Sequence, residues 1–532
     1  YALAYIYSAW KDFKSQAQSS QSGAFWGIDA MRILGISCSL RNARYGAGSE
    51  ALIDDIVGIS DKSNLLSYLK SQTKIRADDF IAAGRGDGQP FDRIYNELRK
   101  LRGDRGLSNS EAALVAGLWG AHQAGAQIKH VGLSTYFPMT GESQSLGELR
   151  TLILGSDAIL VSGPVYFGDR GSLAQELFEF LHADPECAAH IRDRLYAGIA
   201  VGAKRNGGQE TTLIYQIVDA TNLNMLAVGN DGETTSQYGG TAVAGDVGTL
   251  HADSYGIETS IGTGHRLVKV GQILAVGEKN RLKDKVKIQI WLLQDAPNRH
   301  GYSRMLDVSE QMMRGNDGVE VEVLDFTQTE IYRCIACDVC PTDIGAVNQY
   351  RCIINSTKDA FVSQHSKLIE ADAVLLGAYS PIDRHDVFSV YQRFMERTRY
   401  LRRDDYAIGD RLVAPLVISE LNANQNLHIR MLTSFVRHQA VLHHPLIGYE
   451  QGGEILNKEA LNAQAKNFAR NAVRLTTGRV SMSHDLPDQS YNPVGYIISK
   501  EKKAEDEASG VAREIKDARR EMLGQDRDKR LL

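Results

Sequence analysis

The sequence predicts an α/β protein in which helices cover both faces of parallel sheets, and it predicts this arrangement twice. In the first half of the chain, short apolar strand-like segments alternate with amphipathic helical ones, which is the pattern of a doubly wound sheet. A second run with the same order begins near residue 286. Composition agrees, because 49 glycines against 11 prolines in 532 residues favour many tight turns between regular elements.

The first repeat opens with segment 31–40, which predicts the central buried strand of a sheet because it is apolar and ends in small hydroxyl residues. The helix that follows is predicted over 108–126. A mixed segment of about 43–107 separates the two, and it is far longer than the two to six residues usual for such a connection. We therefore expect a helical insertion there. The other strands are predicted over 127–136, 154–168, 196–208 and 224–230.

The second repeat begins with a strand, a loop and a helix over 286–313. Its segment 371–382 matches the pattern of 154–168, which predicts a tandem duplication. Its remaining strands are predicted over 319–326, 411–419 and 443–450. A mixed-charge helix follows, of a kind that usually exposes a solvated face. The predicted division is an N-terminal helical lead-in over 1–30, a first domain over 31–275, a second domain over 284–480, and a linker with a charged C-terminal helix over 481–532.

The net charge and the cysteine pattern predict what kind of partner the protein binds and in which compartment it lies. The 60 basic and 65 acidic residues give a net charge of −5, too small and too mixed to attract nucleic acid or anionic lipid. No apolar run reaches the ~18 residues that a bilayer crossing needs, and the N-terminus lacks the plan of a signal peptide. Four of the six cysteines lie in one segment, which favours metal or redox chemistry in a reducing compartment. We therefore expect a cytoplasmic protein with small-molecule or protein partners.

Hydroxyl groups and an arginine gather where the first strand ends. Ser37, Ser39 and Arg41 follow the strand, and Asn109 and Ser110 open the helix after the insertion. Backbone amides at a helix N-terminus carry partial positive charge and lack intrahelical acceptors, so together with these side chains they suit a phosphate. The pattern predicts a site for a single phosphate. Ordinary helix caps in a polar turn are the alternative interpretation.

Two glycine-containing loops follow later strands of the same repeat. One carries Tyr166 and Phe167 between glycines, and the other includes residues 207–212. Ligands of open α/β sheets bind at the carboxyl ends of the strands, where all these segments are predicted to lie. An aromatic pair in such a loop suits stacking on a planar ring, whereas packing into the core is the alternative.

These three motifs together resemble the flavodoxin-like family of NAD(P)H-dependent FMN reductases and iron–sulfur flavoproteins. The family loop G-x-S-x-S-x-R is matched from Gly35 to Arg41, and its helix start is matched from Asn109 to Glu111. The resemblance implies two tandem flavodoxin-like, doubly wound, parallel five-stranded sheets. It also implies that the FMN phosphate is held by Ser37, Ser39, Arg41, Asn109 and Ser110. The residues that it places around the isoalloxazine are Gly163, Pro164, Val165, Tyr166, Phe167, Gly168, Lys204, Gly207, Gly208, Gln209 and Glu210.

The second repeat carries a cysteine cluster with the spacing C-x2-C-x2-C-x11-C. Its members are Cys334, Cys337, Cys340 and Cys352, and Pro341 follows the third. Three thiolates at this spacing can converge on one centre, which favours a [4Fe–4S] cluster. Structural zinc and unligated thiols are the alternatives. Iron–sulfur flavoproteins have a similar segment with a shorter last gap.

The flavin signature is degenerate in the second repeat. Residues 295–299, Asp-Ala-Pro-Asn-Arg, stand where the first repeat has its hydroxyl loop, and an Asp beside a phosphate would repel it. Residues 379–382 and 422–425 replace the aromatic and glycine loops. We therefore predict one FMN per chain, in the first domain. The corresponding loops of the second repeat also carry histidines. Such residues are more often solvated than ligands, and they are His300, His385 and His428.

The resemblance implies an NAD(P)H-dependent FMN reductase-like oxidoreductase. FMN would accept a hydride from NAD(P)H and pass electrons to an unidentified small-molecule or protein acceptor, through the cluster if one is present. No acid–base residue can be named from the sequence. A non-catalytic scaffold or a subunit of a larger redox assembly is the alternative, and an electron carrier without a nicotinamide step is a third. Assembly as a homo-oligomer or within a larger complex is expected.

Overall fold

The computed structural model describes residues 29–40, 47–100, 106–138, 141–232, 237–294, 298–337, 339–340, 349–382, 389–403, 406–423, 426–484, 486 and 510–532. They form two compact units. Unit 1 is drawn from Tyr1–Phe180, Ala197–Thr212 and Gly240–Val276, and unit 2 from Leu181–Tyr196, Leu213–Gly239 and Gly277–Leu532.

The strands follow one another along the chain as β1 (Arg32–Ser37), β2 (Gln127–Gly132), β3 (Ala158–Tyr166), β4 (Asp169–Arg170), β5 (Leu195–Gly202), β6 (Leu226–Ala227), β7 (Gly240–Val243), β8 (Val286–Leu292), β9 (Val319–Asp325), β10 (Ala373–Ser380), β11 (Leu412–Glu420), β12 (Val441–Leu442), β13 (Leu446–Gln451) and β14 (Glu454–Ile455). The α-helices of the first half are α1 (Ala47–Gly58), α2 (Lys62–Ala82), α3 (Phe91–Lys100), α4 (Asn109–Gln123), α5 (Leu146–Leu154), α6 (Ser172–Ala183), α7 (Pro185–Ile191), α8 (Gln209–Asn222) and α9 (Ser254–Lys279). Those of the second half are α10 (Arg299–Met313), α11 (Ala360–Ser363), α12 (His365–Glu370), α13 (Ser389–Arg397), α14 (Arg399–Arg403), α15 (Leu427–Ser434), α16 (Lys458–Ser481) and α17 (Val511–Arg530).

Unit 1 contains a parallel sheet in the spatial order β2-β1-β3-β5-β7. Every residue of β1 after Arg32 is buried, because helices cover both faces and an apolar run then serves better than an alternating one. Helix α4 packs on β1 and β3 and is buried along almost its whole length. It meets α9 at glycines: a Cβ on Gly264 would lie 2.0 Å from the Gly117 carbonyl oxygen, so only hydrogen fits there.

The insertion predicted over 43–107 is helical, as the described helices α1, α2 and α3 show. Within it, α1 ends at Gly58 and α2 begins at Lys62. Asp61 causes the division, because its carboxylate accepts a hydrogen bond from Asn64 N at 2.9 Å and caps the start of α2. The insertion packs within unit 1, where Thr73 Oγ1 lies 3.1 Å from His251 Nδ1.

Unit 2 repeats the strand order of unit 1. Its parallel strands run β9-β8-β10-β11-β13. In each half of the chain the fifth strand is divided, since β5 pairs first with β6 and then with β7, and β11 pairs first with β12 and then with β13. The order 2-1-3-4-5 is that of flavodoxin-like sheets, so the predicted fold class and its duplication are confirmed.

No described helix combines the length and the apolarity needed to cross a bilayer.

The charged helix α17 has only exposed and half-buried positions over residues 514–530, in keeping with the solvated face that its sequence predicts, and it is anchored at its end. Arg530 Nη2 lies 2.8 Å from Asp372 Oδ2, and Arg479 Nη2 lies 2.7 Å from Asp372 Oδ1. Lys283 N also donates to the Arg530 carbonyl at 2.7 Å. Burial by itself would raise the pKa of Asp372, but the two arginines outweigh it and hold that pKa below its ordinary value.

Asp372→Asn is expected to release α17, because the neutral amide leaves two arginine charges around a buried group. Limited proteolysis should then cut within 510–532 at least tenfold faster than in the wild type, a factor that corresponds to about 1.4 kcal/mol. Since the pKa of Asp372 is depressed, the anchor of the wild type should persist at mildly acidic pH and weaken only as pH falls below about 4, through the folded-state pKa. The exposed Asp528→Asn is the matched control, and equal cleavage of both variants would contradict the assignment.

Candidate functional site

Three consecutive buried residues end the first strand of unit 1. Ser37 is 1% exposed and Ser39 is 5% exposed, and Cys38 N between them donates to the Ser162 carbonyl at 2.8 Å. Burial raises the pKa of the Cys38 thiol, which keeps it protonated at neutral pH. Ser37 Oγ is buried and has no hydrogen-bond partner within the described part of the chain. A buried hydroxyl without a partner is costly, so a ligand oxygen at this point would stabilise it.

The start of α4 lies beside this strand end. Ser162 Oγ donates to the Ser110 carbonyl at 2.7 Å, and Ser108 Oγ caps the helix by accepting from Glu111 N at 3.2 Å. The first intrahelical bond runs from Ala112 N to the Ser108 carbonyl, so the amides of Asn109 and Ser110 precede the helical ladder. These amides are the groups that an anion could use.

The Asn109 side chain is already engaged within unit 1. Its Nδ2 donates to the Asp246 carbonyl at 2.7 Å, and its Oδ1 accepts from Leu250 N at 3.1 Å. It therefore fixes the loop 244–250 against the start of α4. What remains available from this residue for a phosphate is its backbone amide.

A buried acid–histidine pair lies directly behind the helix start. Glu111 Oε1 is 3.0 Å from His130 Nε2, with side chains 1% and 0% exposed. Ser49 Oγ lies 3.4 Å from His130 Nδ1 and connects the pair to the insertion helix α1. The pair links α4, β2 and the insertion beside the strand end.

The aromatic motif forms the tip of a hairpin between β3 and β4. Val165 pairs with Arg170, and Tyr166 pairs with Asp169. Phe167 has φ +53° and is fully exposed, while Tyr166 is 56% exposed. Neither ring packs into the core, so both are available to a planar ligand.

The glycine loop after β5 contacts this hairpin. A Cβ on Gly208, whose φ is +101°, would lie 2.7 Å from Gly168 Cα, so the two loops touch through glycines. Gln209 holds the loop closed, because its Nε2 donates to the Lys204 carbonyl at 2.8 Å and its Oε1 accepts from Gly207 N at 2.8 Å.

Close contacts thus connect the predicted site segments at the carboxyl edge of the unit 1 sheet. The contact between Cys38 and Gly163 joins the hydroxyl loop to the aromatic motif, since a Cβ on Gly163 would lie 3.1 Å from Cys38 Cβ. Glu210 lies in the first turn of α8, next to the glycine loop. Arg41 lies outside the described residues.

Further residues at this edge were not among the predicted flavin contacts, although Thr212 lies within the glycine-loop motif 207–212. Thr212 Oγ1 is buried and has no hydrogen-bond partner among the described residues. Arg205 donates to the Thr241 carbonyl at 2.9 Å and to Asp253 Oδ1 at 2.5 Å. These bonds hold the glycine loop against β7 and the residue that precedes α9. The histidine of the buried pair carries no sequence signal either, because a lone His in a strand is usually structural.

The four cysteines of unit 2 are free thiols, and the described residues around them, 331–337, 339–340 and 349–352, form no helix or strand. Cys352 Sγ accepts a hydrogen bond from Arg397 Nη1 at 3.0 Å. Burial raises the pKa of Cys340, and the charge of Arg403 opposes that rise. Among the described residues, no three metal-ligating side chains come together as a group able to hold an ion. The donor chemistry suits iron–sulfur, but this arrangement does not gather the thiols on one centre.

The corresponding edge of unit 2 carries carboxylates. Glu450 Oε1 lies 2.6 Å from His300 Nε2, and its Oε2 lies 2.7 Å from Arg304 Nε. Tyr379 OH donates to Glu420 Oε1 at 2.9 Å. Burial acts to raise the pKa of Glu450, but the bonds from His300 and Arg304 outweigh it, so that pKa lies below its ordinary value. An ionised carboxylate at this edge disfavours a phosphate.

The structure places two of the three histidines that were predicted to be solvated. His300 is 44% exposed in its side chain and is paired with Glu450. His428 lies in α15, and His385 lies outside the described residues, as do 295–297 and 424–425.

Comparison with known proteins gives relatives over part of the chain. The chain is 33% identical over 120 residues to an iron–sulfur flavoprotein of Methanocaldococcus jannaschii, which covers 22% of this chain and 61% of that protein. The chain is similar to iron–sulfur flavoproteins. An iron–sulfur flavoprotein of Archaeoglobus fulgidus is 26% identical over 134 residues, covering 25% of this chain and 60% of that one. The chain therefore spans about three fifths of the length of these relatives. No protein-family model matches it.

Solved structures give a weaker likeness. A flavodoxin, WrbA-like protein from Agrobacterium tumefaciens matches with a TM-score of 0.24 and 14% identity, covering 46% of this chain and 98% of that one. A flavone reductase matches with a TM-score of 0.26 and 12% identity, covering 45% of this chain and 63% of that one. The flavodoxin-like fold of this chain rests on its strand order rather than on these scores.

Proposed function

We propose that the chain is a flavin-dependent oxidoreductase that binds one FMN at the carboxyl edge of the unit 1 sheet. The observation that carries the proposal is the buried Ser37 hydroxyl, which lacks a partner among the described residues. Ser37 is paired in the sheet with Ser162, whose Oγ donates to the Ser110 carbonyl at the start of α4. The similarity to iron–sulfur flavoproteins supports the same cofactor. FMN, when bound, supplies hydride acceptance and electron transfer.

Different residues of unit 1 bind the phosphate and the ring system of FMN. Ser37 and Ser39 donate hydroxyl hydrogen bonds to phosphate oxygens, and the amides of Asn109 and Ser110 add the positive end of α4. Tyr166 and Phe167 stack on the ring system, because their exposed side chains stand on the hairpin that touches the glycine loop. The other predicted flavin contacts, including Arg41, Lys204 and Glu210, are part of the same proposal.

NAD(P)H is proposed as the electron donor, and an unidentified small molecule or protein is proposed as the acceptor. The purified full chain should be yellow, and anaerobic stopped-flow mixing with NADPH or NADH should bleach its flavin absorbance. Bleaching by either nucleotide supports the reductase. A flavin that only a protein reductant can reduce indicates the electron carrier instead, and a colourless chain with no affinity for FMN indicates the scaffold.

A [4Fe–4S] cluster on Cys334, Cys337, Cys340 and Cys352 is proposed from their spacing alone. Since the described arrangement does not gather these thiols, no electron-transfer step is drawn through the cluster. Iron and acid-labile sulfide, each at about four per chain in protein purified without oxygen, would support it. One zinc per chain, or thiols that all react with a thiol reagent in metal-free protein, would exclude it.

The cytoplasmic location is proposed on the thiol content, since all six cysteines are free. Self-association, or a place within a larger redox assembly, remains a prediction.

A further inference from the structure

A basic cavity of about 620 Å³ lies within unit 2. Its walls come from the end of α7 and the turn after it, from the end of α9, and from one face of α16. The turn leads into β5 at its amino end, whereas the glycine loop of the flavin site follows the carboxyl end of the same strand. The cavity and the flavin site therefore share no residue.

Arginine dominates the charge of this cavity. The arginines in its wall are Arg192, Arg194, Arg281, Arg470 and Arg474, and the only acidic side chains in the wall are Asp193 and Glu278. Five cations against two carboxylates leave an excess of three positive charges on residues that share one concave surface. Such an excess attracts anions, and concavity strengthens the field.

One of the two carboxylates is fully engaged in building the wall. Asp193 Oδ1 accepts from Asn467 Nδ2 at 3.1 Å and from Asn471 Nδ2 at 2.8 Å, and its Oδ2 pairs with Arg470 at 2.8 Å. Its carbonyl also accepts from Arg474 Nη1 at 3.3 Å. Asp193 has φ +61°, an uncommon conformation for a non-glycine residue. This aspartate therefore orients Arg470 and Arg474.

Arg474 lies close to other positive charges in the wall of the cavity. Arg474 Nη2 pairs with Glu278 Oε1 at 2.6 Å, yet burial lowers the pKa of Arg474, and the neighbouring charges of Arg194 and Arg470 lower it further, against the effects of Glu278 and Asp193. An anion bound among these groups would relieve the repulsion.

We propose that this cavity binds a small phosphorylated anion carrying at least two phosphoryl groups. Guanidinium groups match phosphate oxygens with two parallel hydrogen bonds, and two linked phosphoryl groups offer enough oxygens to engage several arginines at once, which a single carboxylate or a halide does not. The volume falls within the range of small-molecule sites, so a pyrophosphate or a nucleoside diphosphate fits in size. The site is independent of the flavin proposal, because it uses none of the flavin residues.

Isothermal titration with inorganic pyrophosphate tests this site in the full chain at low ionic strength. Binding should be at least tenfold tighter for pyrophosphate than for orthophosphate, and 0.5 M NaCl should weaken it by screening. A parallel titration with ADP distinguishes the source of the phosphates: tighter binding than pyrophosphate identifies a nucleotide, and equal binding identifies the phosphates alone.

The variant is Arg192→Ala combined with Arg281→Ala, since both side chains are exposed and their removal should leave the fold intact. Pyrophosphate affinity should fall roughly 100-fold, about tenfold for each arginine. Arg93→Ala, an exposed arginine in unit 1, is the matched control and should bind as the wild type does. The proposal is overturned if no binding is measured at 1 mM pyrophosphate, if the double variant binds as Arg93→Ala does, or if Ser37→Asp abolishes the binding, which would place it at the flavin site.

Discussion

Ser37→Asp should reduce the affinity for FMN at least 1,000-fold, roughly 4 kcal/mol. The Ser37 side chain is 1% exposed, and its hydroxyl has no hydrogen-bond partner within the described part of the chain. A carboxylate there would face the dianionic phosphate in an environment with little water to screen the two charges. Ser37→Ala removes one hydrogen bond to a charged group and should cost about 10- to 100-fold in affinity. Quenching of FMN fluorescence during titration measures both constants.

Two controls separate loss of the site from loss of the fold. Ser60→Asp adds the same charge to an exposed position of the insertion in the same unit, and it should bind FMN as the wild type does. Circular dichroism should show that Ser37→Asp keeps its secondary structure. If a folded Ser37→Asp chain binds FMN with unchanged affinity, the phosphate does not lie at the end of β1.

Asp359→Asn should lower the free energy of unfolding of unit 2 by about 3–5 kcal/mol. Arg397 is 2% exposed, and its guanidinium pairs with the fully buried Asp359 carboxylate. The same guanidinium donates to Tyr350 OH at 2.8 Å and to Cys352 Sγ at 3.0 Å. Removing the carboxylate leaves a buried cation that lacks its counterion, which is far more costly than losing an exposed pair. This network holds Tyr350 and Cys352 against the end of α13.

Urea unfolding, followed by circular dichroism, measures the change as a shift of one transition to lower denaturant. The matched control is Lys367→Ala in the same unit, which removes a pair with Glu322 at 2.7 Å whose side chains are about half exposed. That change should cost at most about 1 kcal/mol. Equal shifts for the two variants would show that the Arg397 network contributes no more than a surface ion pair.

The strands that carry the site could be predicted from sequence because their burial on both faces demands short apolar runs. Segment 31–40 therefore indicated β1, and the matching segments 154–168 and 371–382 indicated β3 and β10. The divided fifth strand could not be predicted. The segment 224–230 was predicted as a strand because its centre is apolar, yet only Leu226–Ala227 form β6, and a Cβ on Gly229 would lie 2.0 Å from the Gln237 carbonyl oxygen.

The motifs indicated which residues lie at the site, but they did not indicate which partners the side chains of those residues bind. Asn109 was expected to hold phosphate, whereas its side chain bonds Asp246 and Leu250, which lie more than 130 positions along the chain. The pairing of Glu111 with His130 likewise depends on how α4 packs on the sheet. Sequence spacing carries no information about such contacts, since they form only when the fold brings distant elements together.

The number of FMN molecules bound by one chain tests the account most directly. Equilibrium dialysis of the full chain against FMN, with protein concentration fixed by amino-acid analysis, should give one FMN per chain, and Ser37→Asp should give none. A value of two, or a value of one that persists in Ser37→Asp, would place flavin at the carboxylate-bearing edge of unit 2 and contradict the assignment to unit 1.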